Sequence, residues 1–298
     1  MKTDTRRLYA DRMLQVLRHV QRHLDEPLDL AGLAAQAYFS VSHFHRVFKG
    51  MLGETIMDHV RRIRLERAYV QLVIGQASVT DIALDAGYDA QEAFSRAFRK
   101  TFGLSPSACR KEGMRPRFPA VPSGVHFAVG ELMEIITNAT GEACMNVRLE
   151  ILPERRLAMV RANGPYMESG YKAWSILMPY AQKHNLFGPQ TLLIGISHDD
   201  PTITKPEEIR YDAAIPVGDG VSVEAPVTIG SMPGGEYAVI THQGPYDGLE
   251  EAYGIVMGQW LPQSGREMRD SPFFEIYRND PCTTPPEQLL TDIHIPLK

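Results

Sequence analysis

The sequence predicts a two-part fold. An all-α N-terminal domain, made of two helix-turn-helix units joined by a linker helix, precedes an α+β C-terminal domain made of two tandem, pseudo-twofold-related modules. Three observations predict it. Apolar and basic positions in the first 115 residues recur at an offset of 50, residues 147–217 match 227–297 at a constant offset of 80, and the stretch GMRPRFPAVPSG from Gly113 to Gly124 separates the two repeats. Its three prolines hold the chain extended and interrupt helices. The domains are therefore set at 1–113 and 147–298, with 114–146 as linker and unassigned segment.

The 298 residues, 44% hydrophobic and 22% charged, fit two ordinary globular domains. No run of 18 apolar residues occurs and the charged N-terminus is followed by no apolar stretch, so neither a membrane span nor a signal peptide is expected, and the protein is expected to be cytoplasmic. Cys109, Cys144 and Cys282 have no CxxC or Cys/His spacing, which leaves no disulfide framework, metal site or cofactor to expect. Charge is split. Residues 1–115 carry 18 Lys and Arg against 13 Asp and Glu, whereas the remainder carries 13 against 23, so a polyanion would be met by the N-terminal half.

Taking the elements in order, Met13, Leu17, Val20 and Leu24 recur at helical spacing and make residues 5–24 an amphipathic helix that ends before Pro27. A short helix over 29–38, a turn at Phe39 and Ser40 and a helix over 41–51 read as a helix-turn-helix. A helix over 54–74 connects this unit to its repeat. There Ser78 and Asp81 resemble a capping box for a helix over 79–86, Gly87 makes the turn, and 90–101 is the last main helix. At the offset of 50, Tyr38 pairs with Tyr88, Phe44 with Phe94, Arg46 with Arg96, Phe48 with Phe98, Lys49 with Arg99 and Gly53 with Gly103.

The phenylalanines, at i and i+4, belong to the core. The opposite faces are polar and basic: Ser42, His43, His45, Arg46 and Lys49 on the first helix, and Gln91, Glu92, Ser95, Arg96, Arg99 and Lys100 on the second. A helix fits the DNA major groove, where Arg reads guanine and Gln reads adenine through paired hydrogen bonds. The linker helix spans ~30 Å at 1.5 Å per residue, near the ~34 Å between successive major-groove faces. One chain could thus read two half-sites.

The segment Leu28 to Arg110 resembles the DNA-binding domain of the AraC/XylS family of bacterial transcription regulators. The resemblance rests on Leu30, Leu33, Ala34, Ser40, Phe44, Arg46, Phe48, Lys49 and Gly53, and on Ile82, Ala83, Gly87, Tyr88, Phe94, Ser95, Arg96, Phe98, Gly103, Ser105, Pro106 and Arg110. It implies that Ser42, His45 and Arg46 read the first half-site and that Gln91, Glu92, Ser95 and Arg96 read the second. Cys109 stands where that family commonly has a tyrosine.

In the C-terminal half the offset of 80 pairs the two Gly-Pro-Tyr turns, the two Asp-Pro turns and Ile215-Pro216 with Ile295-Pro296. Each copy has strand-like runs (157–161 and 237–241), a helix after the Gly-Pro-Tyr turn, and two further strands (192–197 and 212–216; 273–277 and 292–297). The helices are amphipathic through Tyr171, Trp174, Leu177 and Ala181 in one copy and Leu249, Tyr253, Val256, Met257 and Trp260 in the other. A cleft is expected between the modules.

Chemistry is sought where the copies disagree. Glu275 sits in the strand FFEIY with Phe273 and Tyr277 on its face, and its counterpart is Gly195. One copy supplies a carboxylate among rings and the other supplies space, an arrangement suited to an aromatic or cationic ligand. Tyr166, Trp174, Tyr253, Trp260 and Tyr277 are the aromatics that could line the cleft. This half resembles the GyrI-like effector-binding domain, in which the glutamate matching Glu275 lies in the ligand pocket.

The two resemblances together imply a one-component transcription regulator. Its partners would be double-stranded DNA, a small-molecule effector and RNA polymerase, with no membrane. The alternative is a GyrI-like hydrolase or drug-sequestering protein that uses the pocket glutamate.

Overall fold

The computed structural model describes residues 5–113, 118–128, 146–188 and 191–298. It divides into two compact units, the first containing the N-terminal helices together with Gly254–Gly265, the second containing the strands. Cys144 and most of the stretch expected as linker lie outside the described residues.

In the helical unit, α1 (Thr5–Arg22) precedes α2 (Leu30–Gln36), α3 (Val41–Leu52), the connecting helix α4 (Ile56–Ile74), α5 (Val79–Asp85), α6 (Gln91–Phe102) and α7 (Pro106–Glu112). Local chemistry sets their ends. Asp29 caps α2 by accepting from the Gly32 amide, Thr55 caps α4, and Ser78 with Asp81 closes a full capping box on α5. Gly53 and Gly103 end α3 and α6 in the left-handed conformation that a side chain disfavours. Phe44 and Phe48 are fully buried, and so are Phe94 and Phe98, so each unit carries its own aromatic core as the repeat predicts.

The repeat slips by one residue at the turn. The left-handed residue is Tyr38 in the first unit (φ 59°) and Gly87 in the second (φ 81°), an offset of 49, whereas α3 and α6 begin 50 apart. Tyr38 therefore corresponds to Gly87, not to Tyr88. Tyr38 is 75% exposed, while Tyr88 packs edge-on against Phe94 at 5.6 Å.

Where an extended linker was expected, the described residues 118–128 are docked on α4. Glu66 is fully buried and accepts from the Phe127 amide at 2.7 Å and from Arg62 at 2.8 Å, with His126 Nδ1 at 3.0 Å. Glu54 accepts from Arg62 Nη2 at 2.6 Å, from His59 at 2.9 Å and from Ser123 Oγ at 3.1 Å. Arg62 and the surrounding hydrogen-bond donors replace the water that these carboxyl groups give up on packing.

The second unit is one eight-stranded antiparallel sheet with β1 (Arg148–Leu152), β2 (Arg155–Asn163), β3 (Leu193–Ser197), β4 (Arg210–Pro216), β5 (Thr228–Met232), β6 (Gly235–Gln243), β7 (Phe273–Tyr277) and β8 (Leu290–Pro296). Their order is β1-β6-β8-β7-β3-β4-β2-β5. This order is a palindrome of the two copies centred between β3 and β7. The separate modules expected from sequence are thus fused into one sheet, and each gives its first strand to the other: β1 pairs with β6, and β5 with β2. Along the central pair, Leu193 faces Tyr277, Gly195 faces Glu275 and Ser197 faces Phe273. With copies 80 apart, Gly195 and Glu275 are the one pair in that register that are each other's counterpart.

Helix α8 (Tyr166–Lys183) covers the sheet through Ala173, Leu177 and Ala181, all fully buried. Tyr171, expected on that face, is 80% exposed, because Ala173 and Leu177 take the sheet side instead. In the second copy the helix is uneven: α9 (Leu249–Ile255), a π-helical turn (Val256–Trp260) and a short α10 (Leu261–Gln263). The first copy carries Pro179 inside the matching stretch of α8. Both copies therefore interrupt the regular ladder at the same place, one by removing a donor and one by widening a turn.

Burial alone pushes the Glu54 carboxyl up, but hydrogen bonds and charge from His59 and Arg62 outweigh it and hold it down at about 2. A group whose pKa is depressed by folding stabilises the fold above its unfolded value and loses that contribution as pH falls toward its folded value. Glu54→Gln is therefore expected to be less stable than the parent at pH 7, with the gap closing between about pH 4.5 and 2. Urea unfolding followed by helical circular dichroism checks this. A gap that does not change with pH would contradict it.

Candidate DNA-reading helices and effector cluster

The helices α3 and α6 present different surfaces. On α6, Gln91, Glu92, Arg96, Arg99 and Lys100 are exposed and Ser95 is half-buried. These side chains lie opposite the buried Phe94 and Phe98, so the polar face expected from sequence is open to solvent. On α3 the matching face is largely covered. His43 and His45, expected among the polar groups, are only 7% and 2% exposed, and Ser42, Arg46 and Lys49 are half-buried. His45 falls on the core flank of the helix, one turn before Lys49 and beside Phe48. His43 falls on a flank shared with Val47, itself fully buried.

In the second unit, Glu275 is 3% exposed, and hydroxyl groups converge on it from both copies. Tyr253 donates to Oε1 at 2.7 Å, Ser197 donates to the same oxygen at 3.2 Å, and Tyr277 donates to Oε2 at 3.4 Å. Behind Tyr277 stands Tyr211, hydroxyl to hydroxyl at 2.9 Å, and the Trp174 indole donates to Tyr211 at 2.9 Å. Because Tyr277 donates to the carboxylate, Tyr211 donates to Tyr277. The direction of the chain is fixed from the indole inward to the acid.

Burial, then the neighbouring hydroxyl and carboxylate, raise the Tyr277 hydroxyl well above its ordinary range, and burial followed by Glu275 does the same for Tyr211. Both stay protonated as donors. Rings enclose the polar chain: Trp174 and Tyr246 meet Tyr277 edge-on at 6.0 and 5.4 Å, and Tyr253 stacks with Phe273 at 5.7 Å.

Gly195 is what leaves room for this cluster. A Cβ there would collide with the hydroxyls of Tyr277 and Tyr211 and lie 3.0 Å from Glu275 Oε2. The space inferred for Gly195 is thus occupied by the polar ends of the cluster.

Of the residues expected from sequence, Glu275, Tyr253, Tyr277 and Trp174 are brought together. Phe273 is a buried neighbour through Tyr253, and Tyr166 is one ring further out, 6.2 Å from Tyr211 and donating to the Asp199 carbonyl. Trp260 belongs to the Gly254–Gly265 segment, which groups with the helices. Tyr211, Ser197 and Tyr246 were not anticipated. Tyr211 and Ser197 had the same signal as Glu275, since their counterparts Thr291 and Tyr277 differ from them, whereas Tyr246, matched by Tyr166, carries no such mark.

Two family descriptions match the chain. Residues 145–298 match the GyrI-like small molecule binding domain, and residues 33–112 match a helix-turn-helix domain of AraC type. The chain belongs to the GyrI-like family and is a transcription regulator that binds DNA through its helix-turn-helix half and a small molecule through its GyrI-like half. It is 26% identical to Transcriptional regulator Rob of Salmonella typhimurium over 87% of each chain. To Right origin-binding protein of Escherichia coli it is 28% identical, again over 87% of each. Regulatory protein SoxS of Escherichia coli is 35% identical over 30% of this chain and 85% of its own. Among the described residues no helix is long and apolar enough to cross a membrane.

Gly195→Ala should separate space from chemistry at the twofold. The added methyl forces the two tyrosine hydroxyls apart, which is expected to cost on the order of 1 to 3 kcal/mol of stability and to perturb Trp174 fluorescence, since the indole is bonded to Tyr211. Calorimetry and emission spectra check it. Unchanged melting and emission would mean that the cluster is looser than its geometry.

Proposed function

We propose that α6 reads DNA bases through Gln91, Glu92, Ser95 and Arg96, with Lys100 on phosphate, and that α3 contributes Ser42, Arg46 and Lys49 to a second half-site. The open, basic face of α6 opposite its phenylalanine core supports this reading, and Arg and Gln are the residue types that discriminate base edges in the major groove. His43 and His45 join that face only if α3 repacks. A regulator seated at a promoter acts on RNA polymerase, and the chain works in the cytoplasm beside it.

The effector is an aromatic or otherwise lipophilic cation held at Glu275. The observation that carries this is a carboxylate withdrawn from water beneath the rings of Trp174, Tyr246, Tyr253 and Tyr277, its charge held by hydroxyl donors. Hydroxyls can turn aside, and a cation that displaces one meets both the charge and the ring faces, each interaction strengthened by the low local dielectric. With the carboxylate 3% exposed, the ligand reaches it by displacing a donor, and Tyr253 and Tyr277 are half-buried donors whereas Ser197 is buried. Glu275 serves binding and not turnover in this reading, which the regulatory relatives support.

Two outcomes are expected. Arg96→Ala should weaken binding to the protein's selected duplex by roughly 1 to 3 kcal/mol and relax preference at one half-site, as measured by anisotropy on point-substituted duplexes. Glu275→Gln should fold normally and keep DNA binding, yet lose tetraphenylphosphonium by at least about 1.4 kcal/mol, a tenfold change, while neutral triphenylphosphine oxide suffers less. Equal losses for both ligands in titration calorimetry would make Glu275 a structural residue.

A further inference from the structure

We infer that Gly254–Gly265 is a built-in cover for the groove-facing side of α3, so that the first helix-turn-helix unit is closed to DNA until this segment leaves. The inference rests on the reading of α3 and α6 as the DNA-reading helices.

The contact is unusually close. Phe44, Phe48 and Leu52, each fully buried, mark the core side of α3. Gly50 lies on the other side, one turn after Arg46 and in line with it. A Cβ built on Gly50 would lie 2.7 Å from the Gly258 Cα and nitrogen and 2.8 Å from the Gly254 carbonyl oxygen. Packed helices ordinarily keep their axes 8 to 10 Å apart through side chains. Here backbone meets backbone, which only a glycine on each side permits. On the same flank of α3 as Gly50, His43 and Val47 are buried, and Arg46 is half-buried.

That placement is incompatible with reading DNA. The major groove is about 12 Å wide and admits one helix of about 10 to 12 Å diameter. A second helical segment in backbone contact with α3, on the side away from its core, would have to occupy the same space as the base edges.

The other unit supplies the control within the same chain. Lys100 stands in α6 where Gly50 stands in α3, and Gln91, Glu92, Arg96 and Lys100 are all exposed. One recognition helix thus carries a cation at the position where its twin carries a glycine fitted to another glycine. The covering sequence, GIVMGQWLPQSG, contains no charged residue. It is held by apolar and backbone packing and does not imitate phosphate.

The experiment uses the full chain. Gly258→Leu places a side chain where Gly50 allows none and should expel the segment. Duplexes are selected from a random 40-base-pair pool with this variant, and both proteins are then measured on them. The variant is expected to bind at least tenfold more tightly than the parent and to protect two successive major-groove faces, and Arg46→Ala added to it should remove the gain. Equal affinity for parent and variant overturns the cover. The underlying DNA reading is tested separately: if Arg96→Ala leaves binding unchanged in both backgrounds, that reading fails whatever Gly258→Leu does. Should the variant not fold, hydrogen exchange on the unaltered chain decides. Faster exchange of residues 254–265 on binding DNA, or unchanged exchange with protection of one groove face, supports the cover. Unchanged exchange with protection of both faces overturns it.

Discussion

Two copies of a strand that meet antiparallel across a twofold must set one position against its own counterpart, and in this sheet that position is Gly195 against Glu275. Much of the second unit follows from the choice made there. Two glutamates would place like charges together away from water, at a cost of several kcal/mol, and two glycines would leave the hydroxyls of Tyr211 and Tyr277 with nothing to bind. One of each gives a single buried charge with room for its donors. The asymmetry lets Trp174, Tyr211 and Tyr277 line up toward one acid, and it brings Ser197 from the first copy and Tyr253 from the second to the same oxygen.

The helical unit obeys the same logic at Gly50 and Lys100. Its duplicated cores are nearly interchangeable, phenylalanine for phenylalanine, because burial constrains both in the same way. Its outer faces have diverged. Across both halves, the buried residues that agree between copies hold the fold, and the pairs Gly195 with Glu275 and Gly50 with Lys100 mark where the copies have diverged.

Periodicity and the fixed offsets made the two helix-turn-helix units, the linker helix, the duplicated C-terminal half and Glu275 legible in the sequence. Four features were not. The exchange of β1 and β5 is a pairing between residues far apart in the chain, and nothing local to RLEIL or TIGSM says which strand it will join. The one-residue slip at Tyr38 is invisible to an alignment by residue type, which prefers to match tyrosine with Tyr88, whereas the backbone matches the left-handed conformation. His43 and His45 group with the polar face by residue type, yet His45 falls on the core flank beside Phe48 and His43 on the flank of the buried Val47. The stretch ending at Gly124 reads as linker from its prolines, although Ser123 bonds to the half-buried Glu54 and, just beyond it, Phe127 bonds to the buried Glu66 of α4.

The strand exchange carries a consequence for how such a domain can arise. A chain holding one copy would have its first strand detached from its own sheet, with an unpaired edge waiting beside β2 and a sticky strand beside it. Two such chains could complete each other by swapping those strands, giving a homodimer with a twofold through its central strand pair. In a homodimer the residue on the axis meets its identical twin and cannot become an acid without facing a second acid. Tandem fusion removes that restraint, because the two positions are then encoded separately. A lone carboxylate at the centre of a symmetric sheet is a chemistry open to the fused chain and closed to such a dimer.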